Sequence, residues 1–309
     1  MSADEISMFN VLVAVLGGAI RVGTPFIFVS LGECLTEKSG RINLGLEANL
    51  VMGAMAGYGT SYLSGSPWLG VLVAGLCGAA LSLLHALLCQ QPRVNDIAVG
   101  IAIMILGTGL AFFFGKSFIQ PQAPGLPAFA LGDWSSSPAV RAALKINSLF
   151  IIGLLLAPAM WWFFRYSRWG MIVRTVGENR DAALALGFHI NRVRMLSTST
   201  GGFLAGIGGS FLSLYYPGSW NEGLSSGQGL MAIALVIFAR WDPIKCFFAS
   251  LLFGGAAALG PALQSVGINW GYYLFYSTPY ILTLVIMVIA SSANRVLAGI
   301  PGELVNPDR

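Results

Sequence analysis

The side chains able to do catalysis are few and scattered. His85 and His189 lie far apart, and neither belongs to an HExxH pattern. Cys34, Cys77, Cys89 and Cys246 form no CxxC pair and no metal-ligand spacing. Each lies in or beside an apolar run, where cysteine reads as a small buried hydrophobe. The nearest approach to a phosphate-binding loop is Gly109 followed by Gly115-Lys116-Ser117, with five intervening residues. That motif needs four, between a strand and a helix, and here the glycines end an apolar run. The apolar segments carry no Ser/His pair and no His/Asp/Glu constellation. An enzyme is excluded, and no catalytic residue, metal or bound cofactor is expected.

What remains is a set of polar residues in apolar surroundings. Arg21 sits deep in the first apolar run, followed by Thr24-Pro25. A mid-bilayer arginine costs at least ~2.5–3.5 kcal/mol. It therefore faces a cavity, a partner or carbonyls freed at Pro25, or else the span starts late and the side chain snorkels outward. Asn43 and Glu47, four apart, open a second apolar run. They either share a helix face toward a polar path or cap and complement the helix start. Asn95-Asp96 opens another run, where either residue suits a cap. In the stretch from Gly177 to Gly187, Asn179 suits an N-cap, Asp181 the first turn, Ala182, Ala183 and Ala185 the body, and Gly187 the C′ position. So short a helix is marginal alone in water. It is either an interfacial helix tethered by arginines to anionic lipid or a rigid knob for a cytosolic partner.

The elements that must position these residues follow from composition. Of 309 residues, 56% are hydrophobic and only 10% charged. A soluble domain carries about 25% charged residues, so a cytosolic enzyme and a disordered chain are both excluded. Mean hydropathy is +0.74. Glycine, at 39 residues, suits helices that pack closely in lipid. Charge-poor windows near 8–31, 44–63, 68–89, 97–115, 146–164, 195–216, 223–239, 246–264 and 272–290 predict nine spans. The last two are separated by Gly260-Pro261 and the polar tract from Gln264 to Asn269, because no charge falls between Lys245 and Arg295. A single helix there would run ~74 Å, far beyond a ~30 Å hydrocarbon core. Asp4 and Glu5 with no basic residue before Arg21 argue against a cleavable signal, so the first span is expected to be retained.

Basic residues orient the spans. With the N-terminus outside, the cytosolic segments hold Lys38, Arg41, Arg93, Arg165, Arg168, Arg174, Arg180, Arg192, Arg194, Arg240, Lys245, Arg295 and Arg309. The outer segments hold only Lys116, Arg141 and Lys145. The expectation is N-out, C-in. The outer loop 116–146 and the inner loop 165–194 are the longest connections, too short for a core of their own. Pro121, Pro124, Pro127 and Pro138 stiffen the outer loop, which either meets a partner or merely connects. Ser39-Gly40 before the second span and Ser226-Gly227-Gln228-Gly229 before the seventh form a faint internal echo, as in transporters built from two halves.

The string Gly32-Glu33, then Glu37-Lys38-Ser39-Gly40-Arg41-Ile42-Asn43-Leu44-Gly45-Leu46-Glu47, resembles the signature of permease subunits of bacterial ABC importers. The resemblance is to the nucleoside branch paired with Bmp-type lipoproteins, which is related to ribose-type sugar permeases. Asn95-Asp96, Gly177-Glu178-Asn179 through Gly187 with Arg192-Val193, Gly227-Gln228-Gly229 with Ala232 and the run from Phe238 to Pro243, and Pro279-Tyr280 with Thr283 match further family motifs in order. Departures are Arg180 where the family usually has proline, Ala48 where glycine is common and Asp96 where glutamate is.

The resemblance implies an all-α polytopic membrane protein, a single permease domain over 1–309 with a type II importer-like fold of two pseudo-repeated halves. It implies a bacterial cytoplasmic-membrane location and a pore shared with a second related permease, a heterodimer more than a homodimer. A separate ATPase subunit carries ATP and Mg, and an extracytoplasmic lipoprotein delivers substrate. Glu178, Asn179, Asp181, Ala182, Ala183 and Gly187 would form the coupling helix. Arg21, Asn43, Glu47, Asn95 and Gln228 would border the translocation path, with Trp220, Asn221 and Gln228 suited to a base and a sugar. Nucleosides lead as substrate, then simple sugars or other ribityl or base-containing nutrients. The rival from another class is an ion-coupled carrier using Arg21, Glu47 and Asp96.

Overall fold

The structure is a computed structural model that describes residues 3–265, 275, 277–290 and 299–305. Its long helices are α1 (Ala3–Lys38), α2 (Leu46–Ser64), α3 (Pro67–Leu88) and α4 (Asp96–Gly115). After α5 (Pro138–Ala143) come α6 (Ser148–Tyr166), α7 (Arg168–Glu178), α8 (Arg180–Ala185) and α9 (Ile190–Leu214). The chain then forms α10 (Gln228–Phe238), α11 (Pro243–Ser265), α12 (Thr278–Ala290) and α13 (Gly302–Val305). Among the described residues, five helical segments are long and apolar enough to cross a membrane: Phe9–Lys38, Pro67–Leu88, Asp96–Phe118, Ser148–Tyr166 and Pro243–Gln264.

Helix boundaries follow local chemistry. Ser66 accepts from the Leu69 N–H ahead of Pro67, Asn147 accepts from Leu149 N–H, and Ser167 accepts from Gly170 N–H. The first helix continues through Lys38, seven residues beyond the expected window, because Glu33 and Glu37 are buried among polar partners instead of lying in a loop. Helix α11 likewise runs through Gly260-Pro261 to Ser265, so the expected turn does not form there. The remainder of that tract, 266–269, lies outside the described residues, as do the first residues of the ninth window and Arg295 and Arg309.

Helices α2 and α9 form the centre. Their glycines leave no room for side chains: a β-carbon on Gly53 would stand 2.5 Å from the Gly206 carbonyl oxygen, and one on Gly209 2.0 Å from that of Leu50. Helix α3 joins them through Gly78 and Gly202, and α1 through Gly32 and Gly201. Close approach of small residues lets dispersion and backbone contacts hold helices where lipid offers no hydrophobic contrast. The outer helices turn their large apolar residues outward, as with Leu16, Leu76, Ile105, Phe113, Leu155 and Phe248. Such a rim is costly in water and comfortable in hydrocarbon.

The segment 116–146 is folded and not an irregular connector. Strands β1 (Ala128–Ala130) and β2 (Lys145–Asn147) pair antiparallel, with Phe129 opposite Ile146. The prolines lack N–H groups but offer carbonyls: Tyr58 donates to Pro121 (2.8 Å), Ser61 to Pro124 (2.7 Å) and Asn147 to Pro127 (3.0 Å). Helix α2 thus pins the loop across its end.

Candidate functional site

Two regions gather the residues singled out by sequence. The first is the junction between the starts of α2 and α10. The chain leaves α1 through Ser39 and Gly40, the latter at φ +81°, and enters α2 at Leu46. Asn43 lies in this turn and not on α2, so it shares no helix face with Glu47. Its Oδ1 accepts from the Gly45 N–H (3.0 Å), its Nδ2 donates to Ser82 Oγ (3.0 Å), and its own N–H donates to Glu33 (2.9 Å). Asn49 donates to the same Ser82 (2.7 Å).

Glu47 complements a positive helix end, but not that of its own helix. Its carboxylate accepts from Ser225 Oγ (2.5 Å) and from the backbone N–H groups of Gly227 (3.1 Å) and Gly229 (2.7 Å). Those amides begin α10, where the first four N–H groups of a helix lack intrahelical partners and a negative charge is favoured. Gly227 takes φ +82°, a conformation glycine adopts freely. The helix starts that follow the two segments of the sequence echo therefore meet through Glu47, whereas Ser39-Gly40 itself lies against Arg194 and Gly177. Asn95 is a plain N-cap of α4, accepting from Ile97 (2.8 Å) and Ala98 (3.2 Å). Asp96 pairs with Arg41, which also donates to the Cys89 carbonyl (2.6 Å).

Arg21 is held rather than free to snorkel. Its Nε donates to the Gly17 carbonyl (3.3 Å) and its Nη2 to that of Ala142 (3.1 Å), with Tyr216 6.0 Å away from ring centroid to guanidinium. It borders a cavity of about 570 Å³ together with Phe26, Tyr216, Gln228, Pro279 and Tyr280. The Oε1 of Gln228 is buried and lacks a partner among the described residues. Trp220 does not reach this cavity: it is 1% exposed and packs on Gly115, with its ring nitrogen 2.4 Å from where a Gly115 β-carbon would lie.

The second region is the knob from Asn179 to Gly187. Asn179 Oδ1 accepts from the Ala182 N–H (3.0 Å), capping α8. At the other end Gly187 takes φ +79°, Phe188 N–H reaches the Ala183 carbonyl (3.0 Å) and Gly187 N–H that of Leu184 (2.9 Å). This is the full Schellman arrangement. Ala183 is buried against Val176 and Ile190, with Phe188 beside them. That packing holds a helix too short to persist alone. Leu184 and Leu186 are exposed.

Sequence reasoning missed what braces this knob. Glu303, on α13, accepts from the Arg180 N–H (3.0 Å) and pairs with Arg194 (3.0 Å). Arg194 in turn donates to the Ser39 carbonyl (3.1 Å), and Glu178 accepts from the Gly302 N–H (3.3 Å). Burial and the nearby Arg41 hold the Arg194 guanidinium below the usual arginine range, and Glu303 counteracts them. A contiguous polar route thus runs from the start of α8 to the turn entering α2. Glu33 and Glu37 were read only as part of a motif, with no role assigned, and Ser82 was missed. Glu37 accepts from the Trp241 indole N–H. Two carboxyls one turn apart next to an apolar run were the available signal.

A glycine-packed helical core with an apolar rim, an irregular junction between the starts of α2 and α10 and a braced short helix fit a membrane-embedded transport subunit. The chain belongs to the family described as branched-chain amino acid transport system / permease component, which matches residues 15–291. It is 33% identical to a candidate glucose ABC transporter permease of Haloferax volcanii, over 94% of this chain and 84% of that protein. A nucleoside ABC transporter permease of Lactococcus lactis is 27% identical, over 92% and 94% of the two chains. A guanosine ABC transporter permease of Bacillus subtilis is 27% identical, over 90% and 92%. The chain is a multi-pass permease subunit of an ABC transporter.

Proposed function

We propose that this permease forms, with a second related permease, the path of an ATP-driven nucleoside importer in a bacterial cytoplasmic membrane. ATP and Mg are held by a separate cytosolic ATPase, and an extracytoplasmic lipoprotein delivers the substrate. The chain crosses the bilayer nine times, N-out and C-in. Helices α2, α9, α10 and α12 join the five longest apolar segments. At 11 residues α10 rises only ~16 Å, and short or interrupted helices of this kind line transport paths where irregular backbone is tolerated.

The observation that carries this reading is α8. A six-residue helix capped at both ends and seated on Val176 and Ile190 presents Leu184 and Leu186 outward. It is built to be gripped, and Glu178, Asn179, Asp181, Ala182, Ala183 and Gly187 shape it as the coupling element. Closure of the ATPases moves α8 as a rigid body. Glu303, Arg194 and the Ser39 carbonyl pass that displacement to the turn that positions Asn43 and Glu47. Asn43, Glu47 and Asn95 build the walls of the path, and Arg21 and Gln228 face its lumen. Coupling of this kind requires two states that distant ligands favour differently.

Nucleosides are supported by the substrates for which the Lactococcus and Bacillus relatives are named and by the cavity, where Tyr216 and Tyr280 offer ring faces and Gln228 an amide oxygen without a partner among the described residues. The Haloferax relative favours a sugar as the second reading. Reconstitution decides. With its ATPase and lipoprotein the permease accumulates guanosine in proteoliposomes on ATP addition, and without them it is idle. Accumulation by this chain alone, driven by a proton gradient, would make it a secondary transporter instead. Saturable uptake of glucose and none of guanosine selects the sugar.

A further inference from the structure

Lys38, Arg165, Arg174 and Arg240 converge on a second cavity, of about 410 Å³, walled by Trp161 and Trp241. Among the described residues none of these four cations is in an ion pair. Lys38 lies 5.2 Å from the Phe164 ring and Arg165 5.5 Å from that of Trp161, so their charges are supported by ring faces and not by carboxylates. The acid at the rim, Asp242, is occupied capping α11, accepting from the N–H groups of Ile244 (3.0 Å) and Lys245 (3.1 Å).

Basic residues near helix C-termini complement the helix dipole, which accounts for Lys38 and Arg165 singly. It accounts neither for Arg174 in the middle of α7 nor for four cations meeting in one concavity. The backbone gives a second observation. Arg240 is the C′ residue of α10: its N–H reaches the Ile237 carbonyl and Trp241 N–H that of Val236, both at 3.1 Å. That position takes φ +52°, where glycine is the usual occupant and a β-carbon is disfavoured. Trp241 follows at φ +56°. The chain thus holds an unfavourable conformation at the residue that places a cation in the pocket.

The pocket lies where α1 and α6 end and α11 begins, all three of them apolar segments long enough to span. It therefore sits at headgroup level whichever side faces the cytosol. From this we propose that it binds the phosphodiester headgroup of an anionic phospholipid, of the phosphatidylglycerol type. Guanidinium groups grip phosphate oxygens in bidentate fashion, tryptophans belong at the interface, and basic pockets between spans hold such lipids. A zwitterionic lipid would bring an ammonium among four cations, with Asp242, whose Oδ1 already caps α11, as the carboxylate in the lining.

The test is native mass spectrometry of the full-length chain in detergent, titrated with phosphatidylglycerol. Wild type retains the lipid, and the variant R165Q/R174Q/R240Q binds it roughly 100-fold more weakly, at about fivefold per cation. The control R93Q/R168Q/R192Q removes the same charge elsewhere and leaves binding unchanged. Arg240→Gly keeps the proposal testable should the triple variant fold poorly, since glycine suits that backbone: it melts no lower than wild type and still binds lipid about fivefold more weakly. Equal weakening in both triple variants overturns the site in favour of a general surface potential. Equal affinity for phosphatidylcholine overturns it. So does displacement by millimolar inorganic phosphate, which assigns free phosphate. Loss of a co-purifying ATPase from the first variant with lipid binding intact assigns the pocket to a protein partner and also overturns it.

Discussion

The carboxylate of Glu47 accepts a 2.7 Å hydrogen bond from the backbone N–H of Gly229, joining the first turn of α2 to the first turn of α10. A β-carbon at Gly229 would lie 2.6 Å from the Glu47 backbone. The contact therefore specifies both residues: one supplies charge to unpaired helix amides, and the other leaves space for it.

Two substitutions test this lock. Gly229→Ala pushes on backbone, not on a flexible side chain, so it costs at least the ~1–3 kcal/mol of core overpacking. Glu47→Gln keeps the volume but turns an amide NH₂ toward donors, forfeiting hydrogen bonds worth about 1.5–3 kcal/mol each when the acceptor is charged. Both variants are expected to melt well below wild type in detergent, with Glu47→Gln losing most of what Glu47→Ala loses. A Glu47→Gln protein that unfolds at the wild-type temperature removes the lock from the account.

Arg180 stands where the resembled motif usually has proline, and the structure gives that difference a consequence. Its N–H donates to Glu303, which a proline could not do. Proline at this first helical position leaves α8 intact. Arg180→Pro is expected to preserve folding and expression while loosening the segment Gly302–Val305, seen as faster amide exchange there. Glu303→Ala should loosen it further, because Arg194 also loses its carboxylate. Unchanged exchange in both variants would mean that α13 is held by other contacts.

What the sequence revealed was what is local. Asn179 and Gly187 bound α8 through bonds spanning three to five residues, so their types and spacing sufficed. The apolar windows located most helices for the same reason. The partner of Glu47 could not be read, because the α10 amides lie about 180 positions away and nothing near Glu47 encodes them. The extension of α1 was hidden by its own chemistry. Glu33 and Glu37 look like loop residues until the Asn43 N–H is seen to reach one oxygen of Glu33 and the Trp241 indole to reach Glu37. Arg21 showed itself as an anomaly, but its carbonyl partners, Gly17 and Ala142, are backbone groups that every sequence offers.

The knob can be broken without breaking the permease. Gly187 has open space around it, so a β-branched residue there meets only the cost of φ +79°, roughly 1–2 kcal/mol. Ala183 is fully buried against Val176 and Ile190, and a larger side chain lifts α8 off its seat. The double variant A183L/G187V is expected to insert and assemble with reduced ATPase contact, and uptake per ATP hydrolysed should fall about tenfold or more, as loss of ~1.4 kcal/mol of coupling implies. Wild-type uptake by this variant would show that α8 is not the coupling element.

The cavity makes the last prediction, which separates residues that contact substrate from those that build the wall. Gln228 carries a buried oxygen beside it with no partner among the described residues, and a polar atom in that state gains about 1–3 kcal/mol from a donor. A ribose hydroxyl or a base N–H would supply one. Gln228→Leu, close in volume, is therefore expected to raise the KM for guanosine uptake by roughly five- to 100-fold in the assembled transporter with little change in thermal stability. Arg21 differs because it also ties α1 to α5 through the Ala142 carbonyl. Arg21→Gln should lower stability and transport together, and Arg21→Lys should recover part of both by keeping a donor and the charge. Gln228→Leu with an unaltered KM, measured with lipoprotein saturating, would place the substrate elsewhere and leave this cavity a structural gap.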